Sequence, residues 1–151
     1  MGNQAVSRES GQVDEWAHRM SVFRNDRPRI PENVEAKLTA DWIKLRYALR
    51  DGEATDDFLW AVDFMNELID QNPVECLRVI QRILSHDQSE FIAANLGSGP
   101  IEDLLRIYGK NALEQIERMA AADENFKKTL RSVWVNSFPE EIKARWLKLV
   151  S

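Results

Sequence analysis

The sequence predicts an all-α protein, folded as a single compact irregular helical bundle or a short solenoid-like stack of about eight to nine helices. Apolar residues recur along most of the chain at the i, i+3, i+4, i+7 spacing of a buried helical stripe. The breaks between these patterns are short and carry Gly, Pro, Asn or Asp. No stretch alternates β-branched residues between turn signals, as a strand would. Because no fixed-period repeat is visible, we expect the packing to be irregular.

The chain has the length of one domain, at 151 residues. We expect residues 1–11 to form a flexible N-terminal arm and residues 12–151 a single helical domain. A first short helix carries Val13, Trp16, Ala17 and Met20, and residues 24–31, with two prolines and three arginines, form a linker. The polar start has no signal-peptide core, and no apolar run is long enough to cross a bilayer, so we expect a cytoplasmic protein with no membrane contact.

The longest helix is predicted to begin near Glu32 and to end at Asp51-Gly52. Its buried stripe consists of Val34, Leu38, Trp42, Leu45 and Leu49. The next helix, capped by Thr55 or Asp56, is expected to run to about Gln71. Asn72-Pro73 then opens its successor, with Glu75 placed for a capping box.

A sharp corner between two helices is predicted at Gly97. Gly97 can take the left-handed conformation that commonly closes a helix, and Ser98 or Gly99 can cap the next one, with Pro100 in its first turn. Acidic residues follow at positions 102 and 103, where the positive end of the new helix dipole favours them.

The remaining breaks are marked in the same way. Asp87 with Glu90 precedes a short helix, Gly109 stops the helix after the Gly97 corner, and Asn111 with Glu114 repeats the cap pattern. Asp123 starts a helix predicted to carry Phe126, Leu130, Val133 and Trp134, and residues 137–139 begin the last one. Most of the five tryptophans lie within apolar patterns and are expected in the core, not as stacking platforms for bases.

Charge is distributed unevenly along the chain. Residues 51–124 carry sixteen acidic and five basic side chains, although the net charge of the whole chain is only −5. On a helical projection, four acids of the second long helix fall within about a 60° strip, opposite its apolar residues. This acidic strip consists of Asp56, Asp63, Glu67 and Asp70.

The acidic strip has two interpretations. It predicts a docking surface for a basic protein partner, because such surfaces attract cationic proteins. The alternative is a solvated helix edge whose repulsion is relieved by arginines from elsewhere in the fold. The same negative field disfavours DNA and RNA backbones, so no nucleic-acid partner is expected.

No set of residues predicts a catalytic, cofactor or metal site. One cysteine, Cys76, and two histidines rule out an internal disulfide and a zinc set of cysteine and histidine. Cys76 lies among apolar residues at helical spacing and is predicted to be buried. Asp63, Glu67 and Asp70 could bind a hard cation, but no EF-hand loop and no Glu-x-x-His pair supports that reading.

The leading functional hypothesis is a non-enzymatic interaction module, such as an immunity protein or inhibitor, that engages a basic protein through the acidic strip. A second hypothesis is a carboxylate-dependent enzyme with its site near Glu102, Asp103 and Glu117. A third is a plain scaffold or oligomerisation module. The identity of the partner and the oligomeric state stay open.

A longer pattern resembles a family of small bacterial all-helical proteins with no established function. The pattern covers roughly residues 40 to 135 and consists of Gly97-Ser98-Gly99-Pro100-Ile101-Glu102-Asp103-Leu104-Leu105, then Tyr108-Gly109, Ile116-Glu117, Ala120, Asp123, Phe126, Leu130 and Val133-Trp134. The resemblance implies a helical fold, a bacterial or phage source and no catalytic residues.

Overall fold

The computed structural model describes residues 17–19 and 21–151. Beyond residue 31, this part of the chain forms eight α-helices and no strand, which confirms the all-α prediction. The helices are α1 (Glu32–Asp51), α2 (Trp60–Gln71), α3 (Pro73–His86), α4 (Glu90–Leu96), α5 (Glu102–Tyr108), α6 (Lys110–Ala122), α7 (Glu124–Thr129) and α8 (Glu140–Val150). None of the described helices is both long and apolar enough to cross a membrane.

The N-terminal predictions are only partly covered. The expected arm at residues 1–11, together with Val13, Trp16 and Met20, lies outside the described residues. Residues 17–19 and 21–22 are helical, and residues 23–31 form no helix, as expected of the linker.

Helix α1 has the predicted bounds. Gly52 follows it at a φ of 70°, a left-handed conformation that costs glycine little, and the Glu53 amide donates to the Ala48 carbonyl at 2.9 Å. The apolar stripe is buried at Leu38, Trp42 and Leu45 but not at its C-terminal end, where Leu49 is 54% exposed.

Helix α3 is the central element of the core. Pro73 occupies its first turn, where a missing backbone donor has no consequence, and the apolar face of the helix is buried over Cys76, Leu77, Val79, Ile80, Ile83 and Leu84. It packs against α1, α2, α4 and α7. Cys76 lies fully buried within it, as predicted, and burial raises the pKa of its thiol.

The predicted corner at Gly97 is wrong. Gly97 has a right-handed φ of −66°, and residues 97–101 form a π-helical turn that leads from α4 directly into α5. Glycine is needed there for space and not for conformation, because a Cβ at this position would lie 2.1 Å from the Thr129 carbonyl oxygen. The glycine that was interpreted as a helix end is instead required by the close approach of two backbone segments.

Four predicted helix caps also differ from the structure. At α4 the capping residue is Ser89, whose side chain accepts from the Ile92 amide, and not Asp87. Helix α2 begins at Trp60, after a 3₁₀ turn over Asp56–Phe58, and neither Thr55 nor Asp56 caps a helix with its side chain. Glu75 forms no capping box, because its carboxylate accepts instead from the Ile30 amide at 2.7 Å. At α6, Gly109 precedes the first residue and no side chain caps the helix, so the expected Asn111 and Glu114 pair plays no such part.

The C-terminal part confirms one cap and corrects one core residue. Asp123 caps α7, its carboxylate accepting from the Asn125 and Phe126 amides. The helix ends at Thr129 and gives way to a 3₁₀ turn over Leu130–Ser132. Trp134 therefore lies beyond the helix and is 66% exposed, contrary to its predicted place in the core.

Two tryptophans do occupy the core. Trp42 and Trp146 are each 1% exposed. The indole nitrogen of Trp146 donates to the Leu130 carbonyl at 3.2 Å, which ties α8 to the 3₁₀ turn before it. Trp60 is partly buried, and Trp16 lies outside the described residues.

Candidate functional site

Helix α2 separates an acidic side from an apolar side. Asp63, Glu67 and Asp70 are exposed, whereas Met65 and Ile69 are buried against the core. The spacing of three and four residues places these three acids on neighbouring turns of one face. The structure therefore brings together three of the four carboxylates of the acidic strip.

Asp56 occupies a different element. It lies in the 3₁₀ turn over Asp56–Phe58, so the helical projection that grouped it with the other three acids does not apply to it. Asp56 is exposed, and the Lys44 ammonium lies 5.9 Å from the centre of the Phe58 ring in the same turn. A cation of α1 therefore stands close to the turn that carries Asp56.

The acidic strip has no internal counter-ion in the described part of the chain. None of Asp56, Asp63, Glu67 and Asp70 forms an ion pair there. Among the residues that the structure describes, the only side-chain hydrogen bond to the strip runs from the Gln71 amide to Asp70, at 2.6 Å. Neutralisation by arginines from elsewhere in the fold, the alternative to a docking surface, does not occur among these residues.

Two buried acids, one on α1 and one on α3, are paired inside the fold. Arg78 on α3 bridges Glu35 on α1, at 2.7 Å, and Glu75 on its own helix. Both carboxylates are buried, so one guanidinium neutralises two charges that would otherwise be costly to keep from water. Sequence reasoning missed this cluster, because Glu35 and Arg78 are 43 residues apart and no local pattern links them.

Asp41 belongs to a second buried polar cluster. Its carboxylate accepts from the Lys37 ammonium at 2.6 Å and from the Trp60 indole nitrogen at 2.8 Å. Burial would raise the pKa of Asp41, but these hydrogen bonds and the lysine charge outweigh it and leave the pKa below its usual value. The cluster anchors the first residue of α2 to α1.

The C-terminal end of α2 is held by Tyr108. Its hydroxyl donates to the backbone carbonyls of Ile69 and Asp70. Burial, followed by the negative charge of Asp70, raises the pKa of Tyr108 to about 12. Because the phenol stays protonated at neutral pH, it remains a hydrogen-bond donor to the end of α2, which positions the acidic strip.

The carboxylates of the enzyme hypothesis fall into two separate ion-pair groups. Glu102 and Asp103 both bind Arg106, at 3.1 and 2.9 Å, whereas Glu117 binds Arg145 on α8. Glu102 also accepts the backbone amide of Trp134 at 2.7 Å. All three acids thus have partners that explain them as structural groups.

The residues that the structure describes contain no arrangement of metal ligands. No group of three or more His, Cys, Asp or Glu side chains there is placed to hold a metal ion. Asp63, Glu67 and Asp70 share a helix face but do not converge on one point.

Fold and surface define a small all-α protein with an unpaired acidic helix face. The chain belongs to the family of unknown function DUF6869, whose model matches residues 48–150. The match begins in the last turn of α1 and includes α2 with the acidic strip, and it extends to the final residue of α8. Searches of the curated proteins and of the solved structures each found no match.

Proposed function

We propose that this protein is a non-enzymatic interaction module that binds a basic protein through the acidic strip. An immunity protein or inhibitor in the cytoplasm of a bacterium would have this role. The proposal is carried by one observation: the four carboxylates are exposed, three of them lie on neighbouring turns of one face of α2, and none has a counter-ion among the described residues.

The physical argument concerns what the free carboxylates do to an approaching protein. Exposed like charges on neighbouring turns disfavour the helix by a few tenths of a kcal/mol per pair, about 0.2 to 0.5. A basic partner would relieve this repulsion and would be drawn in by the field at low ionic strength. The buried apolar face of α2 holds the strip in place, so little ordering of the surface is needed on binding.

A pair of matched variants tests the proposal. The strip variant carries Asp56→Asn, Asp63→Asn, Glu67→Gln and Asp70→Asn. The control variant carries Glu32→Gln, Glu114→Gln, Glu124→Gln and Glu140→Gln, all at exposed acids with no ion pair in the described part of the chain. Both variants remove four negative charges, so only the position of the charges differs between them.

The measurement is capture from a bacterial lysate at low salt, followed by titration of the captured basic protein against each variant. At about 0.5 kcal/mol for each rim charge, the strip variant should bind about thirtyfold more weakly than the wild type. The salt dependence should also flatten, because fewer charges are screened. Equal binding by the strip and control variants would refute the proposal.

A further inference from the structure

A groove lies on the part of the surface where α3, α4 and α7 meet. It encloses about 480 Å³, within the range typical of small-molecule sites. Leu84, Ala93 and Ala94 line it on the side of α3 and α4, and Lys128 and Arg131 line it at the end of α7 and in the turn that follows. None of them belongs to the acidic strip, so the groove is a separate feature of the molecule.

The close approach at Gly97 helps to form the groove. Because Gly97 has no side chain, the Thr129 carbonyl can lie against it, and Ser132 lies close by on the same side. This contact brings the end of α7 and the following 3₁₀ turn alongside α4. Lys128 and Arg131 thereby line the same groove as Ala93 and Ala94.

The polar side chains of the groove have no side-chain partners among the described residues. Six of them line it, and none forms a side-chain hydrogen bond or an ion pair in the part of the chain that the structure describes. They are Gln88, Glu90, Asn125, Lys128, Arg131 and Ser132. In the arginine-rich cleft near Arg78, Arg24, Glu75 and Arg78 are paired with each other or with neighbours, whereas Arg27 and Arg29 form no ion pair among the described residues.

Charge and apolar surface together indicate the class of ligand. Lys128 and Arg131 are the two cations of the lining, and Glu90 is its one acid. A guanidinium binds planar or tetrahedral oxyanions through paired hydrogen bonds, and a nearby ammonium adds charge. Leu84, Ala93 and Ala94 supply an apolar wall for the rest of the molecule.

We propose that this groove binds a small organic anion with an apolar body. Arg131 and Lys128 hold the acidic group, and Leu84, Ala93 and Ala94 contact the apolar part. Glu90 repels the acidic group and so sets the direction in which the ligand lies. The proposal does not depend on the role of the acidic strip.

Two probes that differ mainly in charge test the groove. Anilinonaphthalenesulfonate carries an aromatic body and a sulfonate, and phenylnaphthylamine has a similar body without the charge. Each is titrated into the folded 151-residue chain, and binding is followed by the amide chemical shifts. With the sulfonate, we expect shift changes at residues 84–94 and 125–132, and weaker binding of the neutral probe.

Two variants separate the contribution of charge from that of shape. Lys128→Gln with Arg131→Gln should weaken binding of the sulfonate about tenfold or more and leave the neutral probe within about twofold. The matched control, Lys143→Gln with Lys148→Gln, removes two cations of α8 that do not line the groove and should change neither affinity. Ala93→Leu should weaken both probes, because the larger side chain fills the groove.

Several results would overturn the proposal. They are the absence of shift changes in the groove at millimolar sulfonate, changes centred on another surface, and unaltered sulfonate affinity in the Lys128 and Arg131 variant. Should Ala93→Leu fail to fold, as judged by its circular dichroism and melting, the charge variant and its control decide the question alone.

Discussion

The structure makes a sharp prediction about Gly97, because a methyl group at this position has no space. In Gly97→Ala, the added Cβ would lie 2.1 Å from the Thr129 carbonyl oxygen and 3.0 Å from the Ser132 Cβ. Ordinary van der Waals contacts of a Cβ begin near 3.4 Å, so the two backbones would have to separate by more than an ångström. No side-chain rotation relieves the clash, since the nearest atom belongs to the backbone.

The size of the effect follows from two opposing contributions. Overpacking of a buried contact costs about 1 to 3 kcal/mol, and a backbone obstacle places this case near the upper end. Replacing a helical glycine by alanine stabilises the folded state by about 0.5 to 1 kcal/mol, because it lowers the conformational entropy of the unfolded chain. The net expectation is a loss of about 2 kcal/mol, which lowers the melting temperature of a domain this size by about 4 to 8 °C.

Urea unfolding followed by circular dichroism, with thermal melting alongside it, measures this loss. The matched control is Ser98→Ala in the same π-helical turn, where the exposed hydroxyl donates only to the Ala94 carbonyl. It should change stability by no more than about 0.5 kcal/mol. A Gly97→Ala protein as stable as the wild type would show that the π-helical turn does not approach the end of α7 as described.

Three further predictions concern buried groups. Arg78→Met leaves the buried carboxylates of Glu35 and Glu75 without a counter-ion, and should lower the free energy of unfolding, measured with urea, by about 3 to 5 kcal/mol. Because the pKa of Asp41 is lowered by folding, its contribution is present above about pH 4 and is lost as the pH falls further, so wild type and Asp41→Asn should converge in stability under acid. Burial raises the pKa of the Cys76 thiol, so a disulfide reagent at neutral pH should modify it only on unfolding.

Each of these has a clear contrary result. For Arg78→Met, a loss below about 1 kcal/mol would mean that solvent already screens the two carboxylates. For Asp41→Asn, a stability gap that stays constant between about pH 6 and pH 3 would mean that the carboxylate titrates alike in both states. For Cys76, rapid modification of the native protein, compared with the urea-unfolded chain as reference, would contradict its burial.

Local patterns predicted the helical elements with uneven success. The bounds of α1 and the burial of Cys76 followed from periodicity and one glycine, which depend on neighbours within a few residues. The predicted corner at Gly97 was wrong because glycine occurs both at helix ends and at close backbone contacts, and the sequence does not distinguish the two. The predicted burial of Trp134 was wrong because the apolar spacing continues past the residue at which α7 ends.

The candidate site shows the same division. Asp63, Glu67 and Asp70 were grouped correctly, since they lie on one regular helix, whereas Asp56 was not, because a 3₁₀ turn changes the angle between residues. The groove had no signal in the sequence. Its walls come from segments near residues 84–94 and 125–132, which meet only after folding.

The spacing of apolar residues, together with the Gly, Pro, Asn and Asp residues at the breaks, was enough to determine that this chain is helical. The same spacing determined which face of α2 is apolar and that its acids lie on the opposite face. These properties are local, because residues three or four positions apart lie on the same face of a helix. The tertiary structure decided which carboxylates stay unpaired, why Gly97 has no side chain and where a groove opens. Those outcomes depend on contacts between residues tens of positions apart, as between Glu35 and Arg78, and packing is what selects them.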